Sequence, residues 1–383
     1  MPTVVISPFN VVNFPQGGGH FWVYMQYAQG LRRLGCDVYW LENFRPSGDL
    51  DNDQAVLKTF FDRMGRYGLD GKVIIYETLS SNGDVLRSEF TGMSRDEAET
   101  IFKKADLLLN FHYAIRPEFL ARFKRTALVD IDPGLLQFWI SRGQLSVAPH
   151  DYYFTTGETV GTPEARFPDC GLEWSRIRPP VCLEEWPFLL QPEAEAFTTV
   201  SNWDSDDWIV DANERYENTK RVAFLEFLAL PRLTTQPLEL ALYLRTEQDS
   251  KDWRLLEEHG WRVRQSSQVA STPEDYHDYI QQSRGEFSCA KRSCLKFQNA
   301  WISDRTLCYL ASGKPAVVQH TGPSSILPNG EGIFRFSTLK QAAKALAAVN
   351  SDYERHGRAA RQLVETYFDA KDVLRTILTR TVE

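Results

Sequence analysis

Three shortages narrow what this chain can be. Its six cysteines (Cys36, Cys170, Cys182, Cys289, Cys294 and Cys308) are scattered through 383 residues with no CxxC pair. Reduced thiols are therefore expected, rather than a disulfide scaffold or a zinc site. No run of about 18 or more apolar residues occurs, so no transmembrane helix is expected. The opening segment MPTVVISPFN has no basic stretch followed by a long apolar one, and the chain is expected to be soluble and cytoplasmic. Basic residues are in deficit: 43 Lys and Arg against 51 Asp and Glu give a net charge of −8. That balance argues against tight, sequence-independent nucleic-acid binding, while leaving room for a local basic groove.

Apolar and aromatic side chains are plentiful, at 43% hydrophobic and 13% aromatic residues. A length of 383 residues exceeds one ordinary core, so two domains of roughly 150–200 residues are expected. In the first half, strands are expected over 3–7, 37–42, 72–76, 106–111, 127–131 and 152–155, alternating with helices over 18–34, 53–66, 94–104, 116–123 and 135–141. Residues 157–195, with Pro163, Pro168, Pro179, Pro180, Pro187 and Pro192, change character and contain the best linker candidate. Alternation then resumes, with strands over 197–200, 238–244, 261–264, 286–290 and 332–336 and helices over 216–228, 249–259, 273–283, 339–349, 353–367 and 371–378. Such alternation implies parallel, doubly wound sheets. The expected fold class is α/β, with two Rossmann-like doubly wound domains facing across a cleft. The expected boundaries are 1–175 for the first domain, 176–195 for the linker, 196–368 for the second domain, and 369–383 for a helix packing back on the first.

The segment WISDRTLCYLASGKPAVVQHTG, residues 301–322, carries the signals of an anion site. Ser303 suits an N-cap, Asp304 suits the first helical turn, and Gly313-Lys314-Pro315 ends the helix before the apolar run Ala316-Val317-Val318. Backbone N–H groups at such a helix start attract phosphate, and Arg305 adds a permanent cation with bidentate donors. The competing reading is an ordinary αβ unit with a surface arginine. Lys291, Arg292 and Lys296 follow the strand 286–290 on the same edge, where cations would neutralise charge developing on a diphosphate. Thr198 and Thr199, and Gln319, His320, Thr321 and Gly322, are candidates for the same pocket, while Trp301 is a candidate for stacking a sugar or base ring near the cleft, with core packing as the alternative. Trp203 is a second aromatic candidate, and Asp204-Ser205-Asp206 reads as a solvated charge cluster.

In the first half, Gly17, Gly18 and Gly19 precede a helix and allow close approach of backbone to ligand. They lack GxGxxG spacing, and a flexible turn is the alternative. His20 follows directly, where the positive end of a helix favours neutral imidazole, the form a general base needs; a capping role is the alternative. His112 and Tyr113 end a strand, where polar side chains face the carboxyl edge of a sheet. Asp130 and Asp132, in VDIDPG, have the spacing of a divalent-metal pair.

Two segments resemble the two-Rossmann (GT-B) glycosyltransferases. QGGGHFWVYMQYAQGLRRLGCDVYWLE, residues 16–42, resembles their glycine-rich turn, first helix and second strand. The stretch from Ser283 through Gly322 resembles their donor-site strand, helix and strand, ending in G-x-P followed by valines. Retaining members often carry a Glu-x7-Glu pair around this helix, whereas Asp304, Arg305 and Cys308 stand here. The resemblance implies transfer of a sugar from a nucleoside-diphosphate sugar, with no cofactor beyond that donor, to a hydroxyl-bearing acceptor. That acceptor would be a glycan, a lipid-linked glycan, a small metabolite or a modified DNA base. Donor contacts are expected from Gly18, Gly19, Thr199, Lys291, Ser303, Asp304, Arg305, Gln319 and Thr321, and catalysis from His20, His112 and Asp132. His20 matches the base of inverting members, and His112 the histidine that retaining members place beside the transferred sugar. The two-domain layout favours metal-independent chemistry, with Asp130 and Asp132 as acceptor-side groups or as partners orienting a base. A nucleotide-sugar epimerase and a noncatalytic sugar-nucleotide-binding protein are the rival readings.

Overall fold

The computed structural model describes residues 1–77, 89–203, 208–211 and 214–382. Asp204, Ser205 and Asp206 lie outside the described residues. The chain forms two compact units. The first comprises Met1–Gly161, Pro168–Arg178 and the stretch from Ala370 onward; the second comprises Thr162–Phe167 and Pro179–Asp369.

The first unit is built on eight strands: β1 (Thr3–Ser7), β2 (Asp37–Phe44), β3 (Val73–Glu77), β4 (Glu89–Thr91), β5 (Leu107–Asn110), β6 (Thr126–Asp130), β7 (Tyr152–Thr155) and β8 (Trp174–Arg176). Their order is β4-β3-β2-β1-β5-β6-β7-β8, and every neighbouring pair is parallel except β3 with β4. β1, β5 and β6 are buried at every residue. A parallel sheet wrapped by crossover helices has no wet face, so TVVIS and LLLN read as unbroken apolar runs rather than as alternation. Strand order reverses at β1: β2 and β3 lie on one side of it and β5 and β6 on the other. A reversal of this kind leaves a crevice at the strands' carboxyl ends.

The helix Gly18–Arg33 connects β1 to β2 and packs against the final helix, Ala370–Thr381. The approach is close because Gly30 has no side chain: a Cβ there would lie 2.4 Å from Leu374 Cδ1 and 2.8 Å from Ala370 Cβ.

The second unit contains β9 (Phe197–Asn202), β10 (Trp208–Asp211), β11 (Glu214–Glu217), β12 (Leu238–Tyr243), β13 (Arg262–Gln265), β14 (Gly285–Ser288), β15 (Ala316–Gln319) and β16 (Ile333–Phe336). Six of them form a parallel sheet in the order β13-β12-β9-β14-β15-β16, while β10 and β11 pair antiparallel with each other. The order reverses between β9 and β14, which defines this unit's crevice. Its core is aromatic, with Phe287 stacked on Phe336 at 5.3 Å and 8°.

Two local expectations are corrected. The helix expected over 216–228 is the end of β11 followed by a shorter helix, Lys220–Glu226. The break falls at Asn218-Thr219, where the buried Asn218 side chain accepts the Ser293 N–H at 2.8 Å. Within the proline-spaced stretch, Trp174–Arg176 pairs with β7 as an edge strand. Among the described residues no helix is long and apolar enough to cross a membrane, and the six cysteines are free thiols.

Candidate functional site

In the second unit, polar side chains gather where β9 and β14 diverge. Arg305 sits in the first turn of the helix Asp304–Ala311, but its side chain turns inward. Nε donates to Glu286 at 2.8 Å, Nη1 to the Val200 carbonyl at 2.9 Å, and Nη2 to Ser288 Oγ at 2.5 Å. Burial opposes its charge, yet the adjacent Glu286 carboxylate outweighs burial and keeps the guanidinium protonated. At 8% exposure, Arg305 straps β9 to β14, its three guanidinium nitrogens all bonded within the protein.

Lys220, which the sequence did not single out, is a cation held against two residues of this region, Cys289 and Trp301. It begins the helix Lys220–Glu226, its Nζ donates to the Cys289 carbonyl at 2.7 Å, and it lies 5.4 Å from the centroid of the Trp301 ring. Burial, reinforced by the charge on Arg305, lowers its pKa to about 7. Beside it is a cavity of about 20 Å³ lined by Cys289, Trp301, Ser303, Gln319, Thr321 and Arg335, among others, so Arg335 is the cation on the cavity wall itself. An ammonium stripped of water gains strongly from an arriving anion.

The remaining candidates of this unit divide. Ser303 occupies the N-cap position with φ −72 and ψ 140 but makes no side-chain capping bond. Asp304 beside it has its carboxyl pushed up by burial. Gln319 accepts the Ala290 N–H at 2.9 Å, and Thr321 donates to the Trp301 carbonyl at 2.6 Å, so both brace the cavity walls. Lys291 is half-buried at the cap of the short helix Arg292–Phe297. Thr199 is 0% exposed within β9, and Thr198 is bonded to Ser283 and Tyr309 at 2.6 Å each; both lie in the interior rather than on the cavity. Trp203 is likewise core, its Nε1 donating to Asp252 at 2.9 Å, whereas Trp301 lines the cavity.

In the first unit, Gly18 and Gly19 open the helix Gly18–Arg33 with Gly17 at its cap. A Cβ on Gly17 would lie 2.3 Å from the Phe14 ring, so the tight turn requires glycine there. His20 Nε2 lies 2.7 Å from the Phe9 carbonyl. A carbonyl only accepts, so this nitrogen carries the proton and Nδ1 presents a lone pair. Burial lowers the His20 pKa, partly opposed by that hydrogen bond, which favours the neutral ring. The Phe9 ring in turn rests on His112 at 5.0 Å. Burial, with the charge on Arg45 adding to it, brings His112 down to about 4.

Tyr113 joins this edge to the next strand, its hydroxyl accepting the N–H groups of Ile131 at 3.1 Å and Asp132 at 3.3 Å. Asp132 is exposed. Asp130 points inward, where Gln137 and Thr155 donate to it at 2.8 Å each and burial raises its pKa to about 7. His20, His112 and Asp132 thus share the carboxyl edge of β1, β5 and β6. Among the described residues, no group of three or more His, Cys, Asp or Glu side chains is arranged to hold a metal.

No family model matches the chain, and no curated protein matches it in sequence. Solved structures do match its fold. HepE from Anabaena, in complex with UDP-glucose, superposes with a TM-score of 0.62 at 12% identity, over 99% of this chain and 99% of that one. A glycosyltransferase from Rickettsia africae gives 0.60 at 12% identity, over 99% and 97%. An alpha-glucosyltransferase in complex with UDP and a 13-mer DNA gives 0.58 at 9% identity, over 100% and 99%. The fold is thus the α/β, two-Rossmann architecture of the GT-B glycosyltransferases.

Proposed function

We propose that this chain is a cytoplasmic glycosyltransferase that moves a hexosyl or pentosyl group from a nucleoside-diphosphate sugar to a hydroxyl-bearing acceptor, without a metal ion. The observation that carries the reading is Lys220: a half-buried amine bonded to the Cys289 carbonyl and set over the Trp301 ring, beside a cavity lined by Ser303 at the cap of the helix Asp304–Ala311. An ammonium and a helix start together stabilise charge on a departing diphosphate, the task a divalent ion performs elsewhere. The fold shared with a UDP-glucose complex supports the donor class. The glycine turn and His20 supply the other half of the chemistry, since a neutral imidazole with Nδ1 open as acceptor is suited to take the proton of an attacking hydroxyl. A retaining course, with His112 beside the transferred sugar, is the second mechanism consistent with the first unit's edge.

The domain division proposed is a first domain over 1–175, a linker over 176–195, a donor domain over 196–368, and a closing helix over 369–383. The test incubates the protein with UDP-, dTDP- and GDP-sugars in EDTA, with and without hydroxyl acceptors, and follows nucleotide release and product mass. Acceptor-dependent nucleotide release with a matching gain in acceptor mass is expected. Isomerised donor without nucleotide release would establish the epimerase instead, and donor bound but never consumed would establish a binding protein. Activity abolished by EDTA and restored by Mg²⁺ would return Asp130 and Asp132 to the metal reading.

A further inference from the structure

Side chains hold the loop after β1 to the end of β2. Glu42, on β2, is 2% exposed. Its Oε1 accepts the N–H groups of Val11 and Val12, and its Oε2 accepts Trp40 Nε1 at 2.9 Å. Asn13 continues the stitching: its Oδ1 accepts the Arg45 N–H at 2.8 Å, and its Nδ2 donates to the Asn43 carbonyl at 2.8 Å. A short turn is thereby fixed at both ends, by β1 up to Ser7 and by Glu42 at Val11 and Val12. Inside it, Asn10 stands at φ 64, in the left-handed region that asparagine tolerates. The peptide entering Asn10 carries the Phe9 carbonyl, which lies 2.7 Å from His20 Nε2.

That carbonyl keeps the proton on Nε2 and leaves the Nδ1 lone pair open. With the carbonyl turned away, either nitrogen could carry the proton, and a ring protonated at Nδ1 cannot accept one there. The Phe9 ring also rests on His112 at 5.0 Å, so both histidines lean on this turn. Val11, Val12 and Trp40 all approach Glu42 as donors. An ionised carboxylate answers each of them, whereas a protonated carboxyl, or the amide of a glutamine, must point a hydrogen at one.

Resting on the glycosyltransferase reading with His20 as its base, we propose that Glu42 is a positioning residue: its carboxylate fixes the turn at Asn10 so that the Phe9 carbonyl holds His20 in the tautomer able to take the acceptor's proton. The arrangement carries a pH signature. Burial raises the Glu42 pKa to about 7, opposed by the bonds from Trp40, Val12 and Val11 and by the charge on Arg45. The other titratable groups near it are Tyr76 on β3, whose phenol burial keeps protonated, and His112, which lines one cavity with Glu42 and Arg45 and is neutral above about 4. As pH falls through about 7 the Glu42 carboxyl takes up a proton and the turn loosens, at a higher pH than that at which His20 itself is protonated.

The experiment is nitrogen-15 NMR of the imidazole rings in the full chain, labelled at histidine and free of ligands, with His20 assigned by its loss in His20→Gln. At about pH 8 the parent His20 should be wholly the Nε2–H tautomer, and it should become a mixture as the pH is lowered to about 6.5. Glu42→Gln should show the mixture already at about pH 8. In turnover, Glu42→Gln should lower kcat about tenfold, leave the donor KM within about twofold, and lose the limb near pH 7. A parent tautomer that does not move with pH, a variant that keeps the parent tautomer, or a variant that keeps the limb overturns the proposal. The titration of the parent decides the matter if the variant does not fold. A parent that releases no nucleotide from any donor removes the glycosyltransferase reading, and the tautomer result, obtained without donor, is read separately from it.

Discussion

Arg305 and Glu286 form a buried ion pair across 2.8 Å, with the arginine side chain 10% exposed and the glutamate 0%. Removing one partner of such a pair strands the other charge. Arg305→Ala should therefore destabilise the protein by about 3–5 kcal/mol, measured by urea denaturation. The double variant Arg305→Met, Glu286→Met should recover most of that loss. If Arg305→Ala instead keeps full stability and loses only nucleotide affinity, the residue is a ligand contact after all.

Lys220 should behave in the opposite way, costing stability and serving binding. Lys220→Met is expected to weaken UDP binding about tenfold or more in calorimetry, since a charge-assisted bond is worth about 1.5–3 kcal/mol. The same substitution should raise the melting temperature of the ligand-free protein. Its pH dependence has a defined sign. The folded-state pKa is about 7 against a reference of 10.5, so between those values the unfolded chain holds more protons and stability rises with pH. The advantage of Lys220→Met should thus be full below pH 7 and gone near pH 10.5. An advantage independent of pH would show that the amine is not desolvated.

If His20 is the base, His20→Ala should lower kcat by about 10²–10⁴-fold with little change in nucleotide affinity, and the product should have inverted anomeric configuration by NMR. Because burial lowers its pKa below 6.5, the acid limb of kcat/KM set by His20 should fall below that value. Near-normal turnover of the variant, or a retained configuration, transfers the role to His112.

Gly30→Ala tests the contact between the first and last helices. Alanine in mid-helix would ordinarily gain up to about 1 kcal/mol. Here the added carbon would lie 2.4 Å from Leu374 Cδ1, so a net loss of about 1–3 kcal/mol is expected. Adding Leu374→Ala should relieve the closer of the two clashes and leave the one with Ala370 Cβ at 2.8 Å, so the double variant should recover only part of the loss in thermal melts.

Much of the fold was legible in the sequence because burial on both faces turns parallel strands into plain apolar runs, as at Thr3–Ser7 and Tyr152–Thr155, where the expected and observed limits coincide. Ends marked by chemistry were also legible, such as Gly313 closing the helix Asp304–Ala311 at φ 74. Direction was not legible. A charge next to a helix start reads as a ligand contact whether its side chain faces solvent or, like Arg305, a carboxylate on the neighbouring strand. Lys220 was hidden for a different reason: Tyr216–Leu228 has helical periodicity, and the interruption at Asn218-Thr219 depends on a bond to Ser293, 75 residues away. Glu42 likewise lay at what looked like a strand end, whereas β2 continues to Phe44.

The return of Ala370–Thr381 to the first unit makes that unit discontinuous, with Pro179–Asp369 threaded through it. During synthesis the second unit is therefore complete before the first one is. Until residue 370 and its successors emerge, the face of Gly18–Arg33 around Gly30 has no partner, and the nascent first unit carries an uncovered apolar stripe while its neighbour folds. A fragment cut after Arg178 would keep that stripe permanently bare, so the first unit is expected to be recovered in soluble form only when the last helix is supplied, in the same chain or as a separate peptide.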